Sequence, residues 1–355
     1  MSGQCEVGWF SALCDDDYEF LGLPDPALAS SWEHCRNIVL AAEKGGFDNI
    51  LLPSGYQLGI DTTVFAAAIA TLTQRIRLLM AVRIGETWPP QLARQIATLD
   101  RILGGRLTIN IISSDMPGEK MDSEPRYART VEAMKILKTL LNGDHVSHQG
   151  EHYEIDIDPP RVGTINGKCP PLYFGGLSPA AREAAAEGCD VYLMWPETIS
   201  GARDIITDMT ARAAKHGRTL KYGFRSHVIV RETEAEARDY ATRLLSKLDA
   251  ETGDAIRAKS LDSASAGVAR QAELREASAG NEGYIEDNLW TGIGRARSGC
   301  GAAIVGNPDQ VLAKLKAYQA EGIEAFILSG YPHLNECDMF ARYVLPKMEH
   351  GALQI

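Results

Sequence analysis

The chain has 355 residues, 45% of them hydrophobic and 23% charged, which is ordinary globular composition and excludes a disordered or fibrous protein. Its 47 acidic against 36 basic residues give a formal net charge of −11, and the absence of any basic run argues against nucleic acid as a partner. The apolar stretches break before the roughly 18 residues a membrane span needs, so no membrane association is expected.

In chain order, a first strand is expected at Glu6–Phe10 and a helix at Ser31–Lys44, which Gly45 and Gly46 end. A strand at Asn49–Leu52 leads to a helix at Thr62–Thr71 opened by Asp61, then a strand at Ile76–Ala81 and a helix at Pro90–Arg101. Gly104 and Gly105 close that helix before a strand at Leu107–Ile112 and a helix at Tyr127–Leu141. Further strands are expected at Leu172–Phe174, Val191–Trp195, Tyr222–Val230 and Ala325–Leu328. Helices at Pro179–Glu187, Ile199–Lys215, Glu234–Lys247 and Asn307–Ala320 separate them.

This alternation predicts a parallel sheet covered by helices, and both an open doubly wound sheet and a closed barrel satisfy it. The glycine fingerprint of a dinucleotide fold is missing after the first strand, where residues 9–16 read WFSALCDD. We therefore expect an α/β fold, a (β/α)8 TIM barrel, as a single domain over 1–355. Two segments interrupt the repeat, an irregular one at 143–170 and a longer polar one at 249–306. The second is expected to be a mobile cover over the site. The cysteines at 5, 14, 35, 169, 189, 300 and 337 have no short paired spacing, so reduced thiols in a cytoplasmic protein are expected and no metal site is. The first residues lack the layout of a signal peptide.

In a barrel, function belongs to the C-terminal strand ends. In Tyr222–Val230 a period of two puts Arg225 and His227 on one face, and a guanidinium on an otherwise apolar strand points to an anion pocket with a titratable neighbour. The turn after the last strand carries Tyr331 and His333, a hydroxyl donor and a proton site. Gly175, Gly176 and Ser178 before a helix suit a phosphate, or are simply a tight turn. Asn110 and Ser113 end one strand, and Trp195 ends another, either as a platform for a planar ring or as core. Arg295 and Arg297 lie in a glycine-rich part of the second insertion, a solvated loop or one that delivers a cation on closure. The run Asp15–Asp17 is a charge cluster or a hydroxyl-binding rim.

Several segments, taken in order, resemble the flavin-dependent alkanesulfonate monooxygenases of the bacterial-luciferase-like superfamily. They are residues 53–55 (PSG), 93–101 (ARQIATLDR), 110–113 (NIIS), 126–127 (RY), 170–176 (PPLYFGG), 227–233 (HVIVRET), 288–290 (NLW) and 329–334 (SGYPHL). The resemblance implies a barrel that takes reduced FMN from a separate NAD(P)H-dependent flavin reductase. With dioxygen it would cleave the C–S bond of an organosulfonate, giving an aldehyde and sulfite. It further implies a homodimer or dimer of dimers. By position, Arg225 and Arg297 match residues that handle the charges of the sulfonate and of the oxygenated flavin. His227 and Tyr331 match positions that manage protons. Ser54, Asn110, Ser113, Tyr127, Gly176 and Ser178 match flavin contacts, with Trp195 near the ring.

The chain departs from the alkanesulfonate pattern in the segments after the first two strands, residues 11–17 and 56–61, and has Pro196-Glu197 where the family has Gly-Glu. Gln57, Asp61, Asp15–Asp17 and His333 add hydrogen-bonding capacity, which favours a hydroxylated substrate over a plain alkyl chain. A polyhydroxylated sulfonate is therefore expected, with sulfoquinovose the best candidate. The alternatives are a simple alkanesulfonate, another luciferase-like flavin or deazaflavin oxidoreductase, and a non-catalytic flavin-binding barrel.

Overall fold

The computed structural model describes residues 4–56, 59–258, 265–297 and 299–355. Strands β1 (Glu6–Phe10), β2 (Asn49–Leu52), β3 (Arg77–Arg83) and β4 (Leu107–Ile112) alternate with helices α1 (Trp32–Gly45), α2 (Thr62–Ala70) and α3 (Pro89–Ile102). After α4 (Ser123–Leu141) comes a short hairpin, β5 (Val146–Gln149) and β6 (Glu154–Ile157). The repeat resumes with β7 (Leu172–Phe174), α5 (Pro179–Gly188), β8 (Val191–Met194), α6 (Ile199–Lys215), β9 (Lys221–Val230) and α7 (Glu234–Leu245). The second insertion holds α8 (Ala250–Ala258), α9 (Ala266–Ala277), β10 (Tyr284–Glu286), β11 (Leu289–Trp290) and β12 (Ala303–Gly306). The chain finishes with α10 (Pro308–Ala320), β13 (Ala325–Ser329) and α11 (His333–Tyr343).

β1, β2, β3, β4, β7, β8, β9 and β13 pair in that order, all parallel, and β13 returns to β1, which closes an eight-stranded barrel. Its inner face is filled by Phe10, Leu51, Leu79, Tyr173, Val191, Leu193, Ala325 and Ile327. At the N-terminal end of the barrel the buried Glu6 carboxylate accepts hydrogen bonds from Asn49 Nδ2 at 3.1 Å and Tyr173 Oη at 2.7 Å. That network satisfies the polar groups of the floor and leaves the chemistry to the other end.

Helix starts follow the sequence signals. Asp61 accepts from the Val64 N–H, Ser178 from the Ala181 N–H, and Thr233 with Glu236 forms a reciprocal cap on α7. The two excursions are more ordered than their composition predicts. Residues 143–170 contain the β5–β6 hairpin, and 249–306 contributes β12 to the main sheet, parallel to β9. β9 changes neighbours along its length: its first half pairs with β8, and from His227 onward it pairs with β12. The segment after the last strand also differs from expectation. His333 opens α11 instead of extending a turn, and the apolar spacing of Leu334, Cys337, Phe340 and Val344 carried that signal unnoticed. Among the described residues no helix is long and apolar enough to cross a membrane.

Candidate active site

Arg225 and His227 both point into the C-terminal mouth of the barrel, as their alternation on β9 predicts. Arg225 is 3% exposed, and its guanidinium lies 4.3 Å from the centroid of the Phe10 ring. Nη1 donates to the backbone carbonyl of Ser226 at 2.7 Å, Nη2 has no partner, and no carboxylate among the described residues pairs with it. Burial pulls this arginine below its ordinary pKa, and the Arg297 charge adds to the effect. His227 is fully buried, with Nδ1 at 2.7 Å from Ser329 Oγ and Nε2 unpaired. Burial, with the charges of Arg225 and Arg297, holds it far below the usual histidine range, so its ring is neutral near pH 7.

Tyr331 stacks on His227 with ring centroids 4.9 Å apart. Its hydroxyl accepts from Arg297 Nη1 at 2.8 Å, and the same Nη1 lies 2.7 Å from Asp16 Oδ2. Burial pushes the Tyr331 phenol upward against the pull of Arg297, so it stays protonated. Burial opposes the Arg297 charge, but Tyr331 and Asp16 outweigh it. Behind them Asp17 takes the His333 backbone N–H at 2.9 Å and His34 Nε2 at 2.8 Å. His333 Nδ1 lies 2.9 Å from Asp17 Oδ1, although not aligned for a hydrogen bond. Burial works against ionising Asp17, yet the adjacent His333 ring, the bond from His34 and the His333 backbone N–H hold it well below the usual carboxylate range.

The opposite arc of the mouth is built from the ends of β2, β3, β4 and β7. Asn110, half-buried, sits on β4 beside Tyr173 of β7. Ser113 Oγ accepts from Thr130 Oγ1 at 2.8 Å, and the Ser54 carbonyl faces Arg83 Nη2 at 3.4 Å. Tyr127 on α4 meets the Phe174 ring edge to face. Gly176, at φ 153°, is a cradle: a Cβ there would come within 2.7 Å of Ala181 and 3.7 Å of the Tyr127 hydroxyl. Ser178 caps α5 at the same spot. A helix N-terminus, a bare glycine and a phenol hydroxyl fit a phosphate, and the polar ends of β2 and β4 fit a ring with acceptors and donors. One arc is thus shaped for a phosphorylated planar group and the other for an anion.

Residues 20–325 match the family of luciferase-like monooxygenases. The chain belongs to that family. It is 71% identical to a sulfoquinovose monooxygenase of Novosphingobium aromaticivorans, covering 99% of both chains. It is 55% identical to a sulfoquinovose monooxygenase of Agrobacterium fabrum, covering 98% of this chain and 91% of the relative. Among solved structures, riboflavin lyase with modified FMN superposes with a TM-score of 0.79 at 18% identity, covering 97% of this chain and 91% of that one.

In this luciferase-like monooxygenase the structure brings Arg225, His227, Arg297, Tyr331 and His333 into one corner at β1, β9 and β13. It places Ser54, Asn110, Ser113, Tyr127, Gly176 and Ser178 on the facing arc. Trp195 is half-buried at the end of β8, with its ring against Gly267 of α9 and Gly299, so the insertion covers the ring. Gln57 lies outside the described residues. Asp61 serves as the cap of α2, and Asp15 clips two loops through the Ser30 and Gly59 N–H groups at 2.6 and 3.2 Å. Sequence reasoning missed His34, Ser329 and the Phe10 ring shared by the two guanidiniums, 4.3 Å from Arg225 and 5.6 Å from Arg297. It also treated Asp15–Asp17 as one feature, where the structure gives three different roles. Only pairing across long sequence separations distinguishes them.

Proposed function

We propose that this monooxygenase uses reduced FMN, supplied by a separate NAD(P)H-dependent reductase, and dioxygen to cleave the C–S bond of sulfoquinovose. The observation that carries this reading is the Arg225 guanidinium, buried in the mouth with no carboxylate paired to it among the described residues and with one nitrogen unpaired. Such a group is tolerated when an anion completes it. The two sulfoquinovose-acting relatives support a sugar as the carrier of that anion.

Tyr127, Gly176 and Ser178 would hold the flavin phosphate, and Ser54 and Asn110 the ring. The reduced flavin, when bound, supplies two electrons and activates dioxygen. One oxygen atom enters the carbon that bears the sulfonate and the other leaves as water. The C–S bond breaks with its electron pair on sulfite, and the carbon is left as the aldehyde of a 6-oxo sugar. Arg225 binds the sulfonate through Nη2. His227 is neutral and shares Nδ1 with Ser329 Oγ at 2.7 Å; in the tautomer protonated at Nδ1 it would present a lone pair at Nε2 for the proton that the carbon gives up. Tyr331, kept protonated, offers its O–H while Arg297 occupies the oxygen's lone pair. The covering insertion excludes water above them.

The test is sulfite release by purified protein with a flavin reductase, FMN, NAD(P)H and oxygen, with sulfoquinovose and octanesulfonate side by side. Sulfite from the sugar at a kcat/KM well above that from octanesulfonate is expected. Preference for octanesulfonate would keep the chemistry and reject the substrate. No sulfite from either would reject desulfonation.

A further inference from the structure

Three carboxylates follow β1, and two of them are spoken for. Asp15 uses both oxygens to clip the backbone at Ser30 and Gly59, and Asp17 uses both on His34 and His333. Asp16 is different. Its Oδ2 meets Arg297 Nη1 at 2.7 Å, while Oδ1 is shut from solvent and has no hydrogen-bond partner among the described residues. An ionised carboxylate is an acceptor only, so the missing partner is a donor and cannot be the sulfonate.

The charges in this corner point the same way. Arg297 and Asp16 form an ion pair, whereas Arg225, 97% shielded from solvent, pairs with no carboxylate among the described residues and leaves Nη2 unpaired. Arg225 is thus the guanidinium of this corner still open to an anion, and it suits one sulfonate. A neutral donor is left for Asp16. Ring N–H groups of a flavin are the other source of donors, but Asn110, Ser113, Tyr127, Gly176 and Ser178 lie between β4 and α5, with β2 and β3 between them and β1. Ser54, just past β2 and so next to β1, turns its carbonyl to Arg83 of β3.

We infer that Asp16 Oδ1 accepts a hydrogen bond from a hydroxyl of the sugar ring while Arg225 holds the sulfonate, which makes Asp16 a specificity-determining residue. This rests on the sugar-sulfonate reading above. It deepens that reading by naming the group that tells a sugar from an alkyl chain. A substrate without the hydroxyl leaves a solvent-shielded carboxylate oxygen unpaired, the situation in which polar sites reject apolar analogues most strongly.

The test measures kcat/KM for sulfite release from sulfoquinovose, its monodeoxy analogues and octanesulfonate, with wild type, Asp16→Asn and Asp16→Ala. The ratio of sugar to octanesulfonate should fall about 100-fold in Asp16→Ala. One monodeoxy analogue should be poor for the wild type, and its deficit should vanish in Asp16→Ala, because hydroxyl and carboxylate act as a pair. Equal losses on every substrate would mean that Asp16 acts only by positioning Arg297, and would overturn the proposal. So would an unchanged ratio, or a deoxy deficit that persists in the variants. If both variants fail to fold, the wild-type series still decides, since no loss with any deoxy analogue refutes the hydrogen bond. A wild type inactive on sulfoquinovose would fail at the earlier step and reject the substrate reading itself, before any variant is made.

Discussion

Arg225 is held where a protein selected only for stability would place a leucine. Its guanidinium is covered by Phe10 and the neighbouring strands, and no carboxylate among the described residues contacts it to repay the lost hydration. Arg225→Leu should therefore raise unfolding free energy by about 1–2 kcal/mol while lowering sulfite release at least about 100-fold. Thermal melts beside turnover assays check both signs. Loss of stability together with activity would show that the guanidinium is a structural member. His227 makes a pH prediction. Its folded pKa lies well below the ordinary 6.5, so between the two values the unfolded chain binds more protons and stability rises with pH. The stability penalty appears as pH falls below about 6.5 and is absent above it. In His227→Gln that part of the acid slope should disappear, as read from melting temperature between pH 5 and 7.5.

Asp17 joins elements that the sequence separates widely. It ties the loop after β1 to α1 through His34 and to the start of α11 through His333, with its side chain fully buried. Removing one partner of such a group leaves the others unpaired, so Asp17→Ala should cost about 3 kcal/mol and shift the melting temperature down. Because the folded pKa is lowered, this contribution is complete above the ordinary 3.8 and is lost as pH falls further. The contact of α9 with Trp195 gives a packing test. A Cβ at Gly267 would sit 2.9 Å from the Trp195 ring, so Gly267→Val should push α9 off the tryptophan and cost about 1–3 kcal/mol. A red shift of tryptophan emission with a raised KM would mark that displacement, and unchanged emission would refute the contact. Individual elements were legible where one signal is local: Asp61, Ser178 and the alternation of Arg225 with His227 were all readable from spacing. α11 was overlooked because the Tyr331–His333 turn drew attention to its side chains and away from the helical period behind it. The pairing of Asp16 with Arg297 and of Asp17 with His333 was not readable at all, since these partners lie 281 and 316 residues away in sequence.

Across the whole molecule, the eight barrel strands were legible because a parallel sheet buried on both faces writes itself as short aliphatic runs between amphipathic helices. The insertion between 249 and 306 was not, because its strands are short and β12, which joins them to the barrel, pairs with β9 across α7, α8, α9, β10 and β11. His227 sits where β9 leaves β8 and takes up β12, with Ser329 on one side and Ala303 on the other. This bears on engineering by segment exchange. A homologous insertion grafted with its own β12 replaces a rung of the ladder that carries His227, so donor and recipient must agree in backbone register before any question of substrate arises. A graft that stops short of Ala302 exchanges the roof and keeps the beam. Chimeras made at those two junctions should therefore behave as different classes of protein: the longer exchange tests compatibility of the sheet, and the shorter one tests what the roof contributes to selecting substrates.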